Sequence, residues 1–260
     1  MNHRDTRRKH GDQIRLGAVV VFLSTLFAIG SACLQDGDSR EIRIAAAANF
    51  KQPAAELVRI FQEETGRNVT LTTGSTGSLY AQIENGAPFA VFLSADSERA
   101  EKLESAMPAA SGTRFTYAVG KLVLWSPKKG MVDDLGTVLN GEFNKLAIAN
   151  PKLAPYGKAA EEVLRKMEIW DKVKGRIVRG ENVGQTFQFV STGNADIGFV
   201  SLSQVKGKGG SFWLVPQELY TPIEQQAVFL SEDEGAIEFR DFLRSERAKE
   251  VIRSYGYDTR

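Results

Sequence analysis

"IRIAAAANFKQPAAELVRIF", residues 42–61, decides the fold class. Ile42 and Ile44 lead into four alanines, Ala45 to Ala48, the mark of a short strand whose end is kept small. From Ala54 the period changes. Ala54, Leu57, Val58 and Phe61 recur at i, i+3, i+4 and i+7, the apolar stripe of a helix, with Pro53 tolerated in its first turn and Gly66 closing the pattern. A strand therefore runs directly into an amphipathic helix packed on a sheet.

The same order recurs downstream. "NVTLTT" (68–73) is β-branched and runs into "GSTGSLYAQI" (74–83). The spacing predicts strands at 42–48, 68–73, 90–94, 116–125, 146–149, 176–179 and 196–200, and helices at 51–64, 78–84, 96–104, 157–167, 184–192 and 234–254. Such alternation predicts an α/β protein with mostly parallel sheets. Two long strand-like stretches break it: "FTYAVGKLVLWSP" (115–127) and "IEQQAVFLS" (223–231). They predict an inserted second lobe, with residues 41–119 plus 223–260 forming one lobe and 120–222 the other. In open α/β sheets ligands bind beyond the carboxyl ends of the strands, which puts the site in the cleft between two hinged lobes.

The first 33 residues read differently. Arg4, Arg7, Arg8, Lys9 and Arg15 precede the apolar run "LGAVVVFLSTLFAIGSAC" (16–33), the anatomy of a secretory signal. Cys33 ends that run after "IGSA" and resembles a bacterial lipobox, with Gly30 where leucine is more usual. Lipid attachment at Cys33, ordinary cleavage after Ala32 and an uncleaved anchor all put the domain outside the cytoplasm.

Both histidines and the single cysteine belong to this leader or its boundary. The body thus has no Ser-His-Asp or Cys-His nucleophilic site, no His or Cys zinc site and no disulfide. The leader also carries a basic excess, so the remainder of a chain of net charge +1 is slightly acidic, and nothing points to nucleic acid. Carboxylate pairs such as Glu63/Glu64 and Glu161/Glu162 fall in patterns of solvated faces, which leaves little for a glycosidase-type enzyme.

Four strand-to-helix junctions remain: "AAAANFK" (45–51), "TGSTGSLY" (73–80), "APYGKAAEE" (154–162) and "ENVGQTF" (181–187). Each places small residues, hydroxyls or amides before a helix, whose first turn has unpaired N–H groups and the positive end of the dipole. Taken singly, Ser75, Thr76, Ser78 and Asn49 are N-caps and Tyr156 is a turn aromatic. Converging on one cleft, the junctions make a cage of neutral donors for an anion.

With "GSTGSLYAQIENGAP", "LAIANPKLAPYGKAAEEVL", "ENVGQTFQFVSTGNADIGFV" and the ending "FRDFLRSERAKEVIRSYGY", the chain resembles the periplasmic molybdate-binding proteins of ABC importers over residues 41–258. The resemblance implies the two-lobe periplasmic-binding-protein fold, no enzymatic activity, no cofactor, a likeness to monomeric proteins, and partnership with a membrane permease. It implies an oxyanion, molybdate or tungstate, held by hydrogen bonds without protein–metal ligands, from Ala48, Asn49, Ser75 or Thr76, Tyr156 and the Val183 N–H. Sulfate, phosphate or another small acid on the same fold is the alternative. Two departures stand out. Some members carry a ligand-binding tyrosine where this chain has Ser201, with a small residue in place of Tyr156, so Tyr156 is expected to take over that role. Many read "GAPADVF" where this chain reads "GAPFAVF", losing an aspartate at Ala90.

Overall fold

The structure, a computed structural model, describes residues 41–260, which belong to one compact unit. The signal sequence and Cys33 lie outside the described residues. The opening strand is β1 (Ile42–Ala47), which passes through a single 3₁₀ turn, Ala48–Phe50, into α1 (Lys51–Thr65). Ala54, Leu57, Val58 and Phe61 are buried on α1, and Gly66, at φ 71°, donates its N–H to Gln62 O to end the helix.

The strands that follow, β2 (Val69–Gly74), β3 (Val91–Ser94) and β4 (Phe115–Gly120), join β1 and the late strand β10 (Ile223–Phe229) in one sheet of order β2-β1-β3-β10-β4. The strands β5 (Leu122–Ser126), β6 (Leu146–Ala149), β7 (Ile177–Gly180), β8 (Ile197–Ser201) and β9 (Ser211–Leu214) make the other, of order β7-β6-β8-β5-β9. The two orders are the same pattern written twice. In each, three strands pair in parallel, and the two on the other side pair antiparallel. The sheets are therefore mixed, and the expected parallel pairing accounts for half of each. The antiparallel members include the strands by which the chain changes sheet, β4, β5 and β10, and a strand entering from the opposite side runs against its neighbours.

Helices cover both faces of each sheet: α2 (Thr76–Glu84), α3 (Ser97–Ala106), α8 (Glu234–Arg244) and α9 (Glu246–Ser254) join α1 on the first, while α4 (Pro155–Lys166), α5 (Trp170–Val173), α6 (Val183–Ser191) and α7 (Leu202–Val205) belong to the second. Alternation along β1 shows the layering. Ile44 and Ala46 pack in the core with Leu57 of α1 and Phe239 of α8, whereas Ala45 packs on the other face with Leu79 of α2 and Leu103 of α3. Burial on both faces is why this strand reads as an apolar run.

Three departures from the sequence reading have local causes. The predicted strand 116–125 is two strands, because the chain leaves one sheet at Gly120 and enters the other at Leu122. The predicted helix 234–254 is broken at Ser245, whose Oγ accepts from Ala248 N (3.2 Å) and starts α9 as an N-cap. Strand β9, the four residues Ser211–Leu214, was not predicted; it pairs antiparallel with β5 at the edge of its sheet, with Phe212 and Leu214 exposed. Ala90 stands at the amino end of β3, its N–H bonded to Arg43 O (2.8 Å), so the aspartate absent from "GAPFAVF" belongs to the end of the sheet remote from the helix junctions.

Candidate functional site

Register brings the predicted junctions together in pairs. The last partners of β1 and β2 are Ala47 and Gly74, so Ala48 and Ser75 emerge side by side at the carboxyl end of the first sheet. The last partners of β6 and β7 are Ala149 and Gly180, and Asn150 N–H donates to Gly180 O (2.7 Å) just beyond them. Each of the four strands then runs to a helix start. Ser75 caps α2, its Oγ accepting from Ser78 N at 3.2 Å, and Asn182 caps α6, its Oδ1 accepting from Gln185 N at 3.0 Å. The 3₁₀ turn at Ala48 and helix α4 begin without a side-chain cap. In the first turn of α4, Pro155 carries no N–H and Gly157 N–H donates to Ala154 O (2.9 Å), which leaves that of Tyr156.

The pairs also face each other across the two sheets. Gly77 N–H donates to Leu153 O (2.8 Å), and Arg99 Nη2 donates to Lys152 O (2.9 Å), holding the start of α2 against the loop that leads to Tyr156. A Cβ on Gly77 would lie 3.1 Å from the Leu153 backbone, so only glycine lets the two approach this closely. On the other side, a Cβ on Gly184 would lie 3.6 Å from Ala48 Cβ, placing the start of α6 beside the end of β1. The run of small residues from Ala45 to Ala48 is what permits that contact.

Behind the junctions lies a buried polar network that the periodicity of the sequence did not announce. Asn49 Nδ2 donates both its hydrogens, to Gln225 Oε1 (2.8 Å) and to Tyr257 Oη (3.0 Å). The hydroxyls of Tyr257 and Ser203 each lie 2.9 Å from Asn49 O and 2.9 Å from one another. Ser203 Oγ is 2.9 Å from Ser201 Oγ, which donates to Tyr156 Oη at 3.1 Å. This is a chain of neutral groups: the Ser203 and Tyr257 hydroxyls compete to donate to Asn49 O, either partner can donate within the Tyr257–Ser203 and Ser203–Ser201 pairs, and Ser201 donates outward to Tyr156. Its last hydrogen, on the Tyr156 phenol, has no acceptor among the described residues and is free for a ligand.

The six predicted residues occupy different places in this arrangement. Tyr156, Ser75, Thr76 and Val183 are 1–4% exposed and enclosed between the elements. Ala48 and Asn49 also border an open depression of about 410 Å³ whose far wall is α6, with Asn182, Gly184 and Gln185. Val183 O accepts from Gln204 Nε2 (3.2 Å), and Gln204 Oε1 accepts from Ser201 N (3.0 Å), so Val183 is tied to the same network. Thr76 Oγ1 accepts from Ala95 N (3.3 Å), fastening α2 to the end of β3. Ser75 Oγ donates to Ser78 Oγ (2.6 Å), so the hydroxyl hydrogen left over at this junction is that of Ser78.

The carboxamide of Asn49 is the residue whose part changes most. It read from the sequence as a side-chain donor to the ligand, but both of its hydrogens serve the interior. At Ser201, where the resemblance implies a tyrosine in some members, the serine hydroxyl lies 3.1 Å from the Tyr156 phenol of α4. Gln225, Ser203, Tyr257 and Tyr117 were not singled out from the sequence. The one available signal was "QQ" (225–226), two amides inside a strand that is buried along most of its length.

No charge operates inside the network. Burial pushes the Tyr156 and Tyr117 phenols well above the ordinary tyrosine value and raises that of Tyr257, whose hydrogen bonds to Ser203, Ser201 and Asn49 pull the other way. All three stay protonated at neutral pH. Among the described residues there is no cluster of histidine, cysteine or carboxylate side chains able to hold a metal ion, and no helix is long and apolar enough to cross a membrane.

Comparison with known proteins agrees with this fold. The model of the family "bacterial extracellular solute-binding protein" matches residues 42–258. The chain is 47% identical over 250 residues to the molybdate-binding protein ModA of Rhodobacter capsulatus, covering 95% of this chain and 97% of the relative. It is 48% identical over 239 residues to ModA of Azotobacter vinelandii, covering 88% and 95%. The solved periplasmic molybdate-binding protein of Azotobacter vinelandii superposes with a TM-score of 0.81 at 41% identity, over 84% of this chain and 99% of that one.

Proposed function

The chain belongs to the bacterial extracellular solute-binding proteins, and from that premise we propose that it captures molybdate, and tungstate by the same geometry, and delivers the anion to the permease of an ABC importer. The domain acts as a monomer outside the cytoplasmic membrane, held there by lipid if Cys33 is acylated. Residues 41–119 with 223–260 form one lobe and 120–222 the other, and the anion sits where the four junctions meet. Its contacts are the backbone N–H groups at Ala48, Asn49 and Val183, the Ser75 side of α2, with Thr76 at its first turn, and the Tyr156 phenol.

The observation that carries this reading is the hydrogen count. The junctions offer unpaired N–H groups and hydroxyl hydrogens, and the six residues bring no carboxylate to the ligand. Donors without acceptors suit a fully deprotonated dianion, because the O–H of a protonated phosphate would be left unpaired. The helix starts supply the field that a dianion needs without a counter-ion side chain. Engagement of donors from both lobes by one ligand is what drives closure. Sulfate has the same charge and shape and must be rejected by cavity size.

Titration calorimetry of the purified protein with molybdate, tungstate, sulfate and phosphate tests the reading. Molybdate and tungstate should bind tightly, and sulfate and phosphate weakly. Sulfate binding as tightly as molybdate would reassign the protein to another oxyanion.

A further inference from the structure

Gln225 lies in the middle of β10, fully buried, and its Nε2 is the only buried side-chain nitrogen or oxygen without a hydrogen-bond partner among the described residues. Leaving such a donor unpaired costs about 1–3 kcal/mol, so each one in a folded protein calls for an explanation. The rest of the side chain is fully engaged. Gln225 Oε1 accepts from Asn49 Nδ2 at 2.8 Å and from Tyr117 Oη at 3.2 Å, so turning the amide over would set its N–H against the Asn49 donor.

Two phenol oxygens lie near the unpaired N–H: that of Tyr257, which already accepts from Asn49 Nδ2, and that of Tyr156. Gly120, where the chain leaves the first sheet, presents an empty Cβ position that is 3.0 Å from Gln225 Nε2 and 2.2 Å from Tyr156 Oη. Only the missing side chain of Gly120 lets the amide of β10 and the phenol of α4 crowd the same point from opposite sheets. The phenol oxygen already accepts from Ser201 and has a second lone pair.

We propose that Gln225 is a positioning residue that joins the two walls of the anion site, holding Asn49 through Oε1 and taking Tyr156 Oη through Nε2 when the phenol hydrogen is committed to the bound oxyanion. The proposal rests on the oxyanion-binding reading above. A phenol that donates to a dianion becomes a better acceptor at its oxygen, so the Gln225 bond strengthens as the ligand bond forms. The donor left unpaired before capture is paired after it, and that difference favours the liganded arrangement. Gln225 touches no ligand itself.

The test is made on the full protein with molybdate as probe. In the wild type, the side-chain amide protons of Gln225, followed by nuclear magnetic resonance, should move downfield and exchange more slowly on adding molybdate. Resonances that do not respond while molybdate binds would overturn the proposal and leave the functional reading standing; absence of any binding would remove both. In calorimetry, Gln225→Met should weaken molybdate about tenfold when Tyr156 is present and by a clearly smaller factor in a Tyr156→Phe background, where only the Asn49 link is lost. Equal losses in the two backgrounds would show that Gln225 acts independently of the phenol.

Discussion

Ser201 Oγ donates to Tyr156 Oη at 3.1 Å, linking the end of β8 to the first turn of α4 and leaving the phenol hydrogen as the open end of a buried hydroxyl chain. The hydroxyl of Tyr156 can therefore be removed without disturbing much else. Tyr156→Phe keeps the buried ring and should weaken molybdate by about 1.5–3 kcal/mol, the range for hydrogen bonds to charged groups. Ser201→Ala, one step further back, should cost less. Calorimetry of the two variants against wild type measures the order, and a larger loss for Ser201→Ala would reverse the assigned direction of the chain.

Asn49 should behave as a structural residue more than as a ligand contact. Asn49→Ala removes the donor to Gln225 Oε1 and Tyr257 Oη inside the protein, and the fold should lose about 1–3 kcal/mol. Urea denaturation without ligand reads this directly. An unchanged midpoint together with a large drop in affinity would return the carboxamide to the ligand.

Gly120 is predicted to be intolerant for a steric reason that does not involve its own dihedrals. A Cβ there would meet Tyr156 Oη at 2.2 Å and Gln225 Nε2 at 3.0 Å, so the phenol must move. Gly120→Ala should destabilise the protein by about 1–3 kcal/mol through overpacking and should weaken molybdate binding beyond that. A variant that binds as well as wild type would place the phenol elsewhere in the liganded protein.

Binding and stability should respond differently to pH. The named donors are backbone N–H groups, hydroxyls and protonated phenols, so affinity for molybdate should be flat from about pH 6 to 9. Stability should fall at alkaline pH. The buried phenols of Tyr117, Tyr156 and Tyr257 titrate higher in the folded chain than the ordinary value of 10.0, so the folded state holds these protons more tightly than the unfolded one. Their contribution is fully present below pH 10.0 and is lost as pH rises above it towards the folded values. Urea midpoints measured from about pH 8 to 11 should decline only at the upper end, and less steeply in Tyr156→Phe.

Much of this protein could be read along the chain. The apolar stripe of α1, the β-branched strands and the small or hydroxyl residues before helix starts are local signals, because burial of one face imposes a period of 2 or 3.6 on adjacent residues. The same signals marked Ala48, Ser75, Tyr156 and Val183 as junction residues. Boundaries that depended on one residue, such as the break at Ser245, were less visible, since a serine in a helical pattern is equally at home on a solvated face.

What the tertiary structure alone decided is who meets whom. Ala47 beside Gly74 and Ala149 beside Gly180 follow from pairing, and pairing order leaves no mark on a strand's own period. Asn49 meets Gln225 and Tyr257 across 176 and 208 residues of chain, and those contacts turned an apparent ligand donor into a part of the interior. The sequence by itself determined that neutral donors stand at four helix starts, because caps and unpaired N–H groups are properties of a single turn. Which of those hydrogens remain free for an anion depends on the acceptors that folding brings near them.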